Sequence, residues 1–363
     1  SKSTVSNVIR GAPNITPKTQ LKVTKAIEEL GYRPNILARQ MVHQRTTIFG
    51  VVVGDLANPF YAEMAKLIER FAAARGYRVM FCNTQGEEEI EVAGLEGMIE
   101  QRVAGIIFLA YSGGSSRPRA LLEGRVPSVF VTCSADWGDV VCADDERGAR
   151  LATEHLLGLG HQRIAYCADP IVEDATDRAR QAGYRGTMER AGLTPTIYHW
   201  ERAEARLLRE APVEQVLAGP NRPTAFVSSN DLGAIDLLDC ADHLNIAVPR
   251  RLSVVGFDNV MLAGLARINL TTIAQPKEML ARLAVDTLAG RIEGELTGDP
   301  IRQTVSCRLI VRGSTARPSK FRYRCNPPSA LPTATAVRPQ TQDGTAFQPI
   351  RNRRRSFPAR PTA

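Results

Sequence analysis

The stretch IFGVVVGDLANPFYAEMAKLIERFAAARGYRVMFC, residues 48 to 82, decides the fold of this chain. Its two ends, IFGVVV and YRVMFC, are almost continuously apolar, which predicts strands buried on both faces of a sheet. The segment between them, Phe60 to Arg75, has the length of a helix. A strand, a helical crossover and a second strand make up the unit of a parallel α/β sheet.

The same alternation continues through the middle of the chain. Further apolar runs that predict buried strands are GIIFLA, PSVFVT, RIAYCA, PTAFVS and LSVVGFD. Further helix-length segments cover residues 88–101, 146–157, 178–191 and 232–244. So long a pattern exceeds one hydrophobic core. We therefore predict an α/β fold with two doubly wound parallel-sheet lobes and a cleft between them.

Residues 1–47 have no strand character and predict a small all-α head. One helical fragment covers Thr4 to Arg10. A second helix has Thr16 as its N-cap, Pro17 at its first position and a glycine stop at Gly31.

Positive charge is concentrated at the two ends of the chain. Residues 1–47 hold eight Lys and Arg against two Glu, and residues 318–363 hold nine against a single acid. The centre is mildly acidic, with 29 basic residues against 35 acidic ones. The basic ends indicate an acidic partner. The last segment contains eight prolines and no periodicity, which predicts a disordered tail because it buries too little apolar surface to offset its ordering entropy.

Several classes of protein are disfavoured by the sequence. Seven widely spaced cysteines without a C-x-x-C pair indicate neither a disulfide framework nor a zinc site, and we expect buried thiols in a reducing cytoplasm. No stretch reaches the roughly 18 apolar residues of a membrane span. The motifs of phosphate loops, dinucleotide sites, zinc proteases and nucleophile elbows are missing. In the acidic run ADDE, Asp144 and Asp145 are predicted to cap the following helix. We predict a cytoplasmic protein that is not an enzyme and uses no cofactor or metal.

A series of motifs carries a resemblance to a known family. They are STVSNVIRG, ELGYRPNILAR, NPFYAEM, VAGIIF, TEHLLGLGHQRIAY, ARQAGYRG, SSNDLGA and VVGFDN. Their order and separations, over residues 1 to about 316, resemble those of the lactose-repressor family of bacterial transcription regulators. The resemblance implies a helix-turn-helix head, a core similar to periplasmic sugar-binding proteins, and binding of operator DNA as a homodimer. The family head starts one helix further upstream than Ser1, so we expect the helix-turn-helix to be truncated.

Composition and resemblance together imply a division of the chain into successive parts. These are a partial helix-turn-helix head (1–33), a hinge helix and linker (34–47), an N-terminal core lobe (48–143 with 275–302), a C-terminal core lobe (144–274 with 303–316) and a disordered basic Pro-rich tail (317–363). The core chain is thus expected to cross repeatedly between the lobes.

Two segments are candidates for DNA contact. In the head, the resemblance assigns base reading in the major groove to Lys2, Ser3 and Asn7, with Thr4 and Ser6 placed to reach phosphates. An ordinary polar surface helix is the alternative for this segment.

The second segment, Asn35 to Val42, resembles the family's hinge helix, which pairs with its dimer mate and inserts an apolar side chain into the minor groove. Met41 would be that wedge, Ala38 is another apolar member, and Arg39 would meet phosphate. So short a helix should form only against a partner or DNA. A plain interdomain linker is the alternative.

The resemblance also implies a ligand site in the cleft between the lobes. Arg180 matches the family's ligand-gripping arginine, and Asn230 and Asp258 match its opposing polar residues. The alternative for Arg180 and Asp258 is a structural salt bridge. Phe60 and Tyr61 follow the first core strand, at the edge where open sheets bind ligands, and plain core packing is the alternative for Phe60.

Thr132, which ends a strand, is a further candidate for the ligand site.

We therefore predict a transcriptional regulator, specifically a repressor, whose operator affinity is modulated by a sugar-like effector. A sugar-binding receptor module without a DNA role is the alternative. The identity of the effector and the sign of its effect stay open.

Overall fold

The computed structural model describes residues 2–9, 15–31, 46–111, 116–133, 135–168, 175–199 and 212–319. Its helices are α1 (Lys2–Ile9), α2 (Pro17–Glu29), α3 (Pro59–Ala74), α4 (Glu88–Glu100), α5 (Arg117–Leu122), α6 (Asp145–Gly158), α7 (Ala175–Arg190), α8 (Pro212–Ala218), α9 (Asp231–His243) and α10 (Lys277–Glu293), with a 3-10 helix at Met261–Gly264. Its strands are β1 (Ile48–Val53), β2 (Arg78–Asn83), β3 (Gly105–Phe108), β4 (Ser128–Val131), β5 (Asp139–Ala143), β6 (Ile164–Ala168), β7 (Ile197–His199), β8 (Ala225–Ser228), β9 (Ser253–Asp258), β10 (Thr271–Ala274), β11 (Arg302–Val305) and β12 (Arg308–Ile310).

Two six-stranded sheets form the core of the two lobes. The first has the strand order β11-β5-β4-β3-β1-β2, and the second has the order β12-β10-β9-β8-β6-β7. The pairings are parallel, apart from that of β12 with β10. Strands β3, β4, β6, β8 and β9 are buried along their whole length, as their apolar sequences require. The prediction that YRVMFC is buried on both faces is wrong, because β2 lies at the edge of the first sheet and three of its six residues are exposed. The predicted fold class is confirmed.

The chain crosses between the sheets after β5, after β10 and after β11. The predicted division placed residues 303–316 in the second lobe, and this is wrong for β11, which pairs with β5 in the first sheet. The sequence of β11 is RQTV, with two of its residues exposed and two partly buried, so it gives no buried-strand signal. The last crossover therefore lies between β11 and β12.

Helix α6 packs closely against α7, and each of these two helices carries one charged side chain of an ion pair in the second lobe. A Cβ added at Gly183 in α7 would overlap the backbone carbonyl oxygen of Glu146 in α6. A Cβ added at Gly148 in α6 would lie 2.7 Å from the ring of Phe257 in β9. Gly183 is needed because the two helix backbones approach too closely for a side chain, and Gly148 is needed because the buried Phe257 ring occupies the space that a Cβ would take. They fix α6 against α7 and β9 together.

The head begins its second helix as the sequence predicts. Thr16 is the N-cap of α2, its Oγ1 accepts a hydrogen bond from the Thr19 N–H at 3.4 Å, and Pro17 is the first helical residue. Gly31 follows the helix with a φ of 57°, the left-handed conformation that suits a glycine stop. The predicted hinge helix and the predicted tail from residue 320 onward lie outside the described residues.

Candidate functional site

The second sheet gathers polar residues at the edge where its parallel strands end. Strands β6 and β8 are neighbours although β7 lies between them in sequence, so the strand order reverses there. Open α/β sheets bind ligands at such a switch point, outside the carboxyl ends of the strands. Ser229 and Asn230 follow β8, Asp258 ends β9, and Gln275 follows β10. The predicted residues Asn230 and Asp258 therefore share this edge.

Arg180 belongs to α7 and is buried, with 7% of its surface exposed. Its Nε donates to Asp145 Oδ1 at 2.8 Å, and its Nη1 donates to the carbonyl oxygen of Ser229 at 2.6 Å. Nη2 lies 4.0 Å from Asp258 Oδ1. The guanidinium carbon also sits over the Phe257 ring, 3.9 Å from its centroid. The structure thus brings Arg180 and Asp258 together, while the closest ion-pair partner of Arg180 is Asp145.

Asp258 is held in an uncommon backbone conformation, with a φ of 111°. Its Oδ1 accepts a hydrogen bond from Gln275 Nε2 at 2.7 Å. Burial raises the pKa of Asp258 to about 6, and the opposing effect of Arg180 is smaller. Non-glycine residues in such backbone regions cluster at functional sites.

The motif SSNDLGA ends β8 and starts α9. Asn230 is the N-cap of α9, because its Oδ1 accepts from the Gly233 N–H at 2.7 Å. Asp231 is fully buried and accepts from the Val260 N–H at 2.8 Å and from the Thr272 hydroxyl at 2.5 Å. Burial raises the pKa of Asp231 to about 7. These two residues anchor the strand ends on which the edge is built.

Phe60 and Tyr61 lie in the first turn of α3, the helix that follows β1, and Thr132 directly follows β4 in the first sheet. Phe60 is 5% exposed and packs in the hydrophobic core, with its ring centroid 5.6 Å from that of Tyr61. Tyr61 is partly exposed. Thr132 has a φ of 58°, and its Oγ1 donates to the carbonyl oxygen of Leu109 at 3.1 Å. Core packing of Phe60 is therefore observed, and Tyr61 has more surface available to a ligand.

Hydrogen bonds join the two lobes near this region. Thr176 Oγ1, in α7, donates to the carbonyl oxygen of Thr132 at 2.7 Å. Glu63 Oε1, in α3 of the first lobe, accepts from the Met261 N–H at 2.7 Å. Lys277, at the second crossover, also donates to Glu63. The strand ends of the two lobes thus face a shared cleft.

Sequence reasoning missed three residues of this site. Asp145 was predicted to cap a helix, but Asp144 is the N-cap and Asp145 pairs with Arg180 instead. Gln275 Oε1 and Ser229 Oγ are buried without a hydrogen-bond partner among the described residues. Buried polar atoms normally have partners, so these two atoms point to a ligand or water. Their positions just after β10 and β8 could have been found by asking which residues follow each strand.

The candidate DNA-contacting residues of the head lie in one helix. Lys2, Ser3, Thr4, Ser6 and Asn7 all belong to α1. Thr4 and Asn7 are partly buried. The hinge candidates Asn35, Ala38, Arg39 and Met41 lie outside the described residues.

Known proteins share both the head and the core. Residues 1–35 match the family described as bacterial regulatory proteins, lacI family, and residues 153–315 match a periplasmic binding protein-like domain. The ribose operon repressor of Escherichia coli (strain K12) is 34% identical over 321 residues, which cover 86% of this chain and 96% of the repressor. This chain belongs to the lacI family.

Solved structures of other proteins have the fold of this lacI-family member. The lac repressor dimer bound to operator and the anti-inducer ONPF matches with a TM-score of 0.76 and 27% identity, over 87% of this chain and 96% of that chain. A periplasmic binding protein/LacI transcriptional regulator from Alkaliphilus metalliredigens QYMF, complexed with D-xylulofuranose, matches with a TM-score of 0.67 and 25% identity, over 74% and 99%. The predicted family is confirmed, and this lacI-family protein is a DNA-binding transcriptional regulator.

Two kinds of feature are absent from the described part of this lacI-family chain. Across those residues, no helix combines the length and apolar content that crossing a membrane requires. The same residues contain no group of three or more His, Cys, Asp or Glu side chains placed to hold a metal ion.

Proposed function

We propose that this regulator is a cytoplasmic repressor that binds operator DNA as a homodimer and responds to a sugar or related small metabolite bound between its lobes. One observation carries the proposal. A single chain joins a segment that matches the lacI-family head to a core in which buried polar groups converge at an interlobe cleft. Relatives with these two parts include the ribose operon repressor and the operator-bound lac repressor dimer.

The chemistry of the cleft supports a polyhydroxylated ligand. A hydroxyl group both donates and accepts, so one hydroxyl can accept from Arg180 and donate to Asp258. Further hydroxyls can satisfy Gln275 Oε1 and Ser229 Oγ, the buried atoms that lack partners among the described residues. The partly exposed ring of Tyr61 offers an apolar face for a sugar. The D-xylulofuranose complex of the Alkaliphilus metalliredigens relative supports this ligand class.

For DNA, we assign base contacts to Lys2, Ser3 and Asn7 and phosphate contacts to Thr4 and Ser6, all of which lie in α1. In the hinge, we assign the minor-groove wedge to Met41, flanked by Asn35, Ala38 and Arg39. The positive charge of residues 1–47 supports these assignments.

Effector and operator are coupled through the relative position of the lobes. An effector changes operator affinity only if it binds two arrangements of the lobes with different affinity. Contacts such as Thr176 with Thr132 and Glu63 with Met261 cross the cleft and change when the lobes move. The first strand, β1, starts directly after the linker, so a moved lobe shifts the hinge segments of the two protomers.

The dimer surface that we propose includes the free edge of the first sheet. Strand β2 is an edge strand, and Met80 and Phe81 on it are exposed at 36% and 40%. Exposed apolar side chains on an edge strand mark an association surface. Replacing Phe81 with Asp should shift the protein from dimer to monomer in sedimentation equilibrium, whereas Glu69→Lys, an exposed change on α3, should not.

DNA binding is tested by titrating the full chain against a near-palindromic duplex selected from a random library. The logarithm of affinity should fall linearly with the logarithm of salt concentration, because phosphate contacts release counterions. Affinity independent of salt would contradict the proposal. Sugar binding without any DNA binding would instead support the alternative, a receptor module without a DNA role.

Effector binding is tested by calorimetric titration with D-ribose and D-xylulose. Binding should be lost in Arg180→Ala and retained in Arg185→Ala, a change on the exposed side of the same helix. Equal binding by both variants would remove the cleft as the effector site. Recovery of the sugar unchanged after the titration would count against an enzymatic role.

A further inference from the structure

Asp145 occupies an unusual position for the first residue of a helix. Its neighbour Asp144 provides the N-cap of α6, where Oδ1 accepts from the Arg147 N–H at 3.1 Å. The Asp145 carboxylate instead accepts from Arg180 Nε at 2.8 Å, and both side chains are less than a tenth exposed. A buried ion pair of this kind is costly to desolvate, so its presence is weak evidence of a role in stability.

The rest of the guanidinium is also held in place. Nη1 donates to the Ser229 carbonyl oxygen, and the Phe257 ring covers one face of the group. Nη2 is the guanidinium nitrogen that makes no hydrogen bond within the described residues, and it points to within 4.0 Å of Asp258 Oδ1. Arg180 is therefore held through Nε and Nη1, and Nη2 is presented beside the Asp258 carboxylate.

The charges around Arg180 are unequal. Asp145 and Asp258 both face the single guanidinium. Lys277, a further cation that acts on Asp258, is engaged by its own carboxylate partner, Glu63. Repulsion between a buried carboxylate and an anionic ligand is screened little in such a site. A phosphate or carboxylate on the ligand would meet a negative field here, whereas a neutral hydroxyl would not.

We propose that Asp145 is a positioning and specificity-determining residue, which orients Arg180 and neutralises its charge so that the cleft selects an uncharged polyhydroxylated effector over its phosphorylated form. The inference rests on the proposed function, because it assumes that the effector binds beside Arg180. It goes further by assigning the charge class of the effector and the residue that sets it. Asp145→Asn keeps an oxygen that can accept from Arg180 Nε but removes the negative charge. The variant therefore separates the orienting of Arg180 from the neutralisation of its charge.

The test compares D-ribose with D-ribose 5-phosphate by calorimetric titration of the full chain. The wild type should bind the sugar at least about tenfold more tightly than the phosphate. In Asp145→Asn, this ratio should move toward the phosphate by about tenfold or more, because Arg180 is no longer neutralised. The size of the phosphate is the same for both proteins, so a change in the ratio reports charge.

Asp139→Asn is the matched control. Asp139 is also buried and paired with an arginine, since it accepts from Arg291 Nη2 at 2.8 Å and from Arg291 Nε at 3.0 Å, but it starts β5 in the first sheet, at the end of the strand opposite to the cleft. It should keep the wild-type ratio, whereas a merely structural effect of losing a buried carboxylate would weaken both ligands in either variant.

An unchanged ratio in Asp145→Asn overturns the inference while the proposed function stands. Should Asp145→Asn fail to fold by circular dichroism, the wild-type ratio decides, and a phosphate bound as tightly as the sugar overturns the inference. Failure of D-ribose, D-xylulose and the phosphate to bind at all contradicts the proposed function, and the inference with it.

Discussion

Gly183 lets α7 pack closely against α6, and this packing determines where the side chain of Arg180 lies. It lies three residues after Arg180 in α7, at the point where the backbone of α7 meets the Glu146 carbonyl oxygen of α6. The ion pair between Asp145 and Arg180 joins the same two helices. The absence of a side chain at Gly183 therefore sets the spacing that the ion pair needs.

Alanine at position 183 should separate these helices. The added Cβ overlaps backbone, which cannot rotate away, so we expect the free energy of unfolding to fall by about 1–3 kcal/mol and effector binding to weaken. Urea unfolding and calorimetry measure the two effects. Gly186→Ala is the control in the same helix. Its Cβ would lie 3.3 Å from the flexible Arg190 Nη1, so it should be neutral or gain up to about 1 kcal/mol. Equal losses in both variants would contradict the packing argument.

The site was predictable residue by residue only where a motif carried it. Arg180, Asn230 and Asp258 came from motif positions, and the structure places all of them at one lobe's cleft edge. Asp145 was not predicted because an acidic residue at a helix start normally caps the helix, and its distant partner is invisible in sequence. Gln275 was not predicted because its role depends on where β10 lies beside β9. Neither the contact of Arg180 with Ser229 nor the core packing of Phe60 follows from spacing along the chain.

At the scale of elements, strand prediction succeeded where burial is continuous. Runs such as IFGVVV and LSVVGFD are mostly apolar and are buried along almost their whole length, although Ser253 and Asp258 in the second run are polar, and both are strands in the structure. Strands β7, β11 and β12 are three or four residues long and partly exposed, so their sequences carry no periodic signal. They are strands because neighbouring strands supply hydrogen bonds, which is a tertiary effect.

Two histidines, His161, which is buried, and His155, which is partly buried, contact the segment that ends the second lobe. The His161 ring contacts two other segments of the chain. Its Nδ1 lies 2.9 Å from Thr224 Oγ1, and its Nε2 lies 2.9 Å from the Ala316 carbonyl oxygen. His155 Nε2 is 3.0 Å from Thr315 Oγ1. Because the Ala316 carbonyl can only accept, the neutral His161 ring carries its proton on Nε2.

The contacts of His161 with Thr224 and Ala316 should weaken in acid. Burial lowers the pKa of His161 from its ordinary value of 6.5, and the Ala316 carbonyl opposes this shift less strongly. The unfolded chain therefore takes up a proton first as the pH falls, so the contribution of His161 is complete above about pH 6.5 and is lost below it. In His161→Gln, the free energy of unfolding should fall less between about pH 7 and pH 5 than in the wild type.

Urea unfolding at several pH values measures this difference. Asp231 and Asp258 act in the opposite sense, because burial raises the pKa of each carboxyl group and stability is then lost as the pH rises. They are present in both proteins, so their effect cancels in the comparison. His243→Gln, an exposed change on α9, should keep the wild-type profile. If the free energy of unfolding depends on pH in the same way in the wild type and in His161→Gln, the contacts of His161 are not pH-sensitive.

At the scale of the whole molecule, function depends on how the lobes are held together. Glu63 of the first lobe receives the Met261 N–H of the second lobe at 2.7 Å and pairs with Lys277 at a crossover. Lys277 also donates to the Asn259 carbonyl oxygen at 2.7 Å, next to Asp258. This bridge therefore links the outside of the first lobe to the edge that holds the effector-binding residues.

Breaking the bridge should favour an open arrangement of the lobes. In Glu63→Ala both bonds are lost, while Lys277 keeps its bond to Asn259. Partly exposed ion pairs contribute on the order of 1 kcal/mol, and a loss of that size lowers the closed fraction severalfold. Because a ligand held by both lobes needs the closed form, its apparent affinity should fall by roughly the same factor.

Small-angle X-ray scattering of the ligand-free protein should therefore show a larger radius of gyration for Glu63→Ala than for the wild type. Adding D-ribose at saturation should bring the two proteins to the same value, since the ligand restores closure. Glu69→Ala, an exposed change on the same helix, serves as the control. If Glu63→Ala has the same radius of gyration and the same sugar affinity as the wild type, the Glu63 contacts do not influence the equilibrium between open and closed lobes.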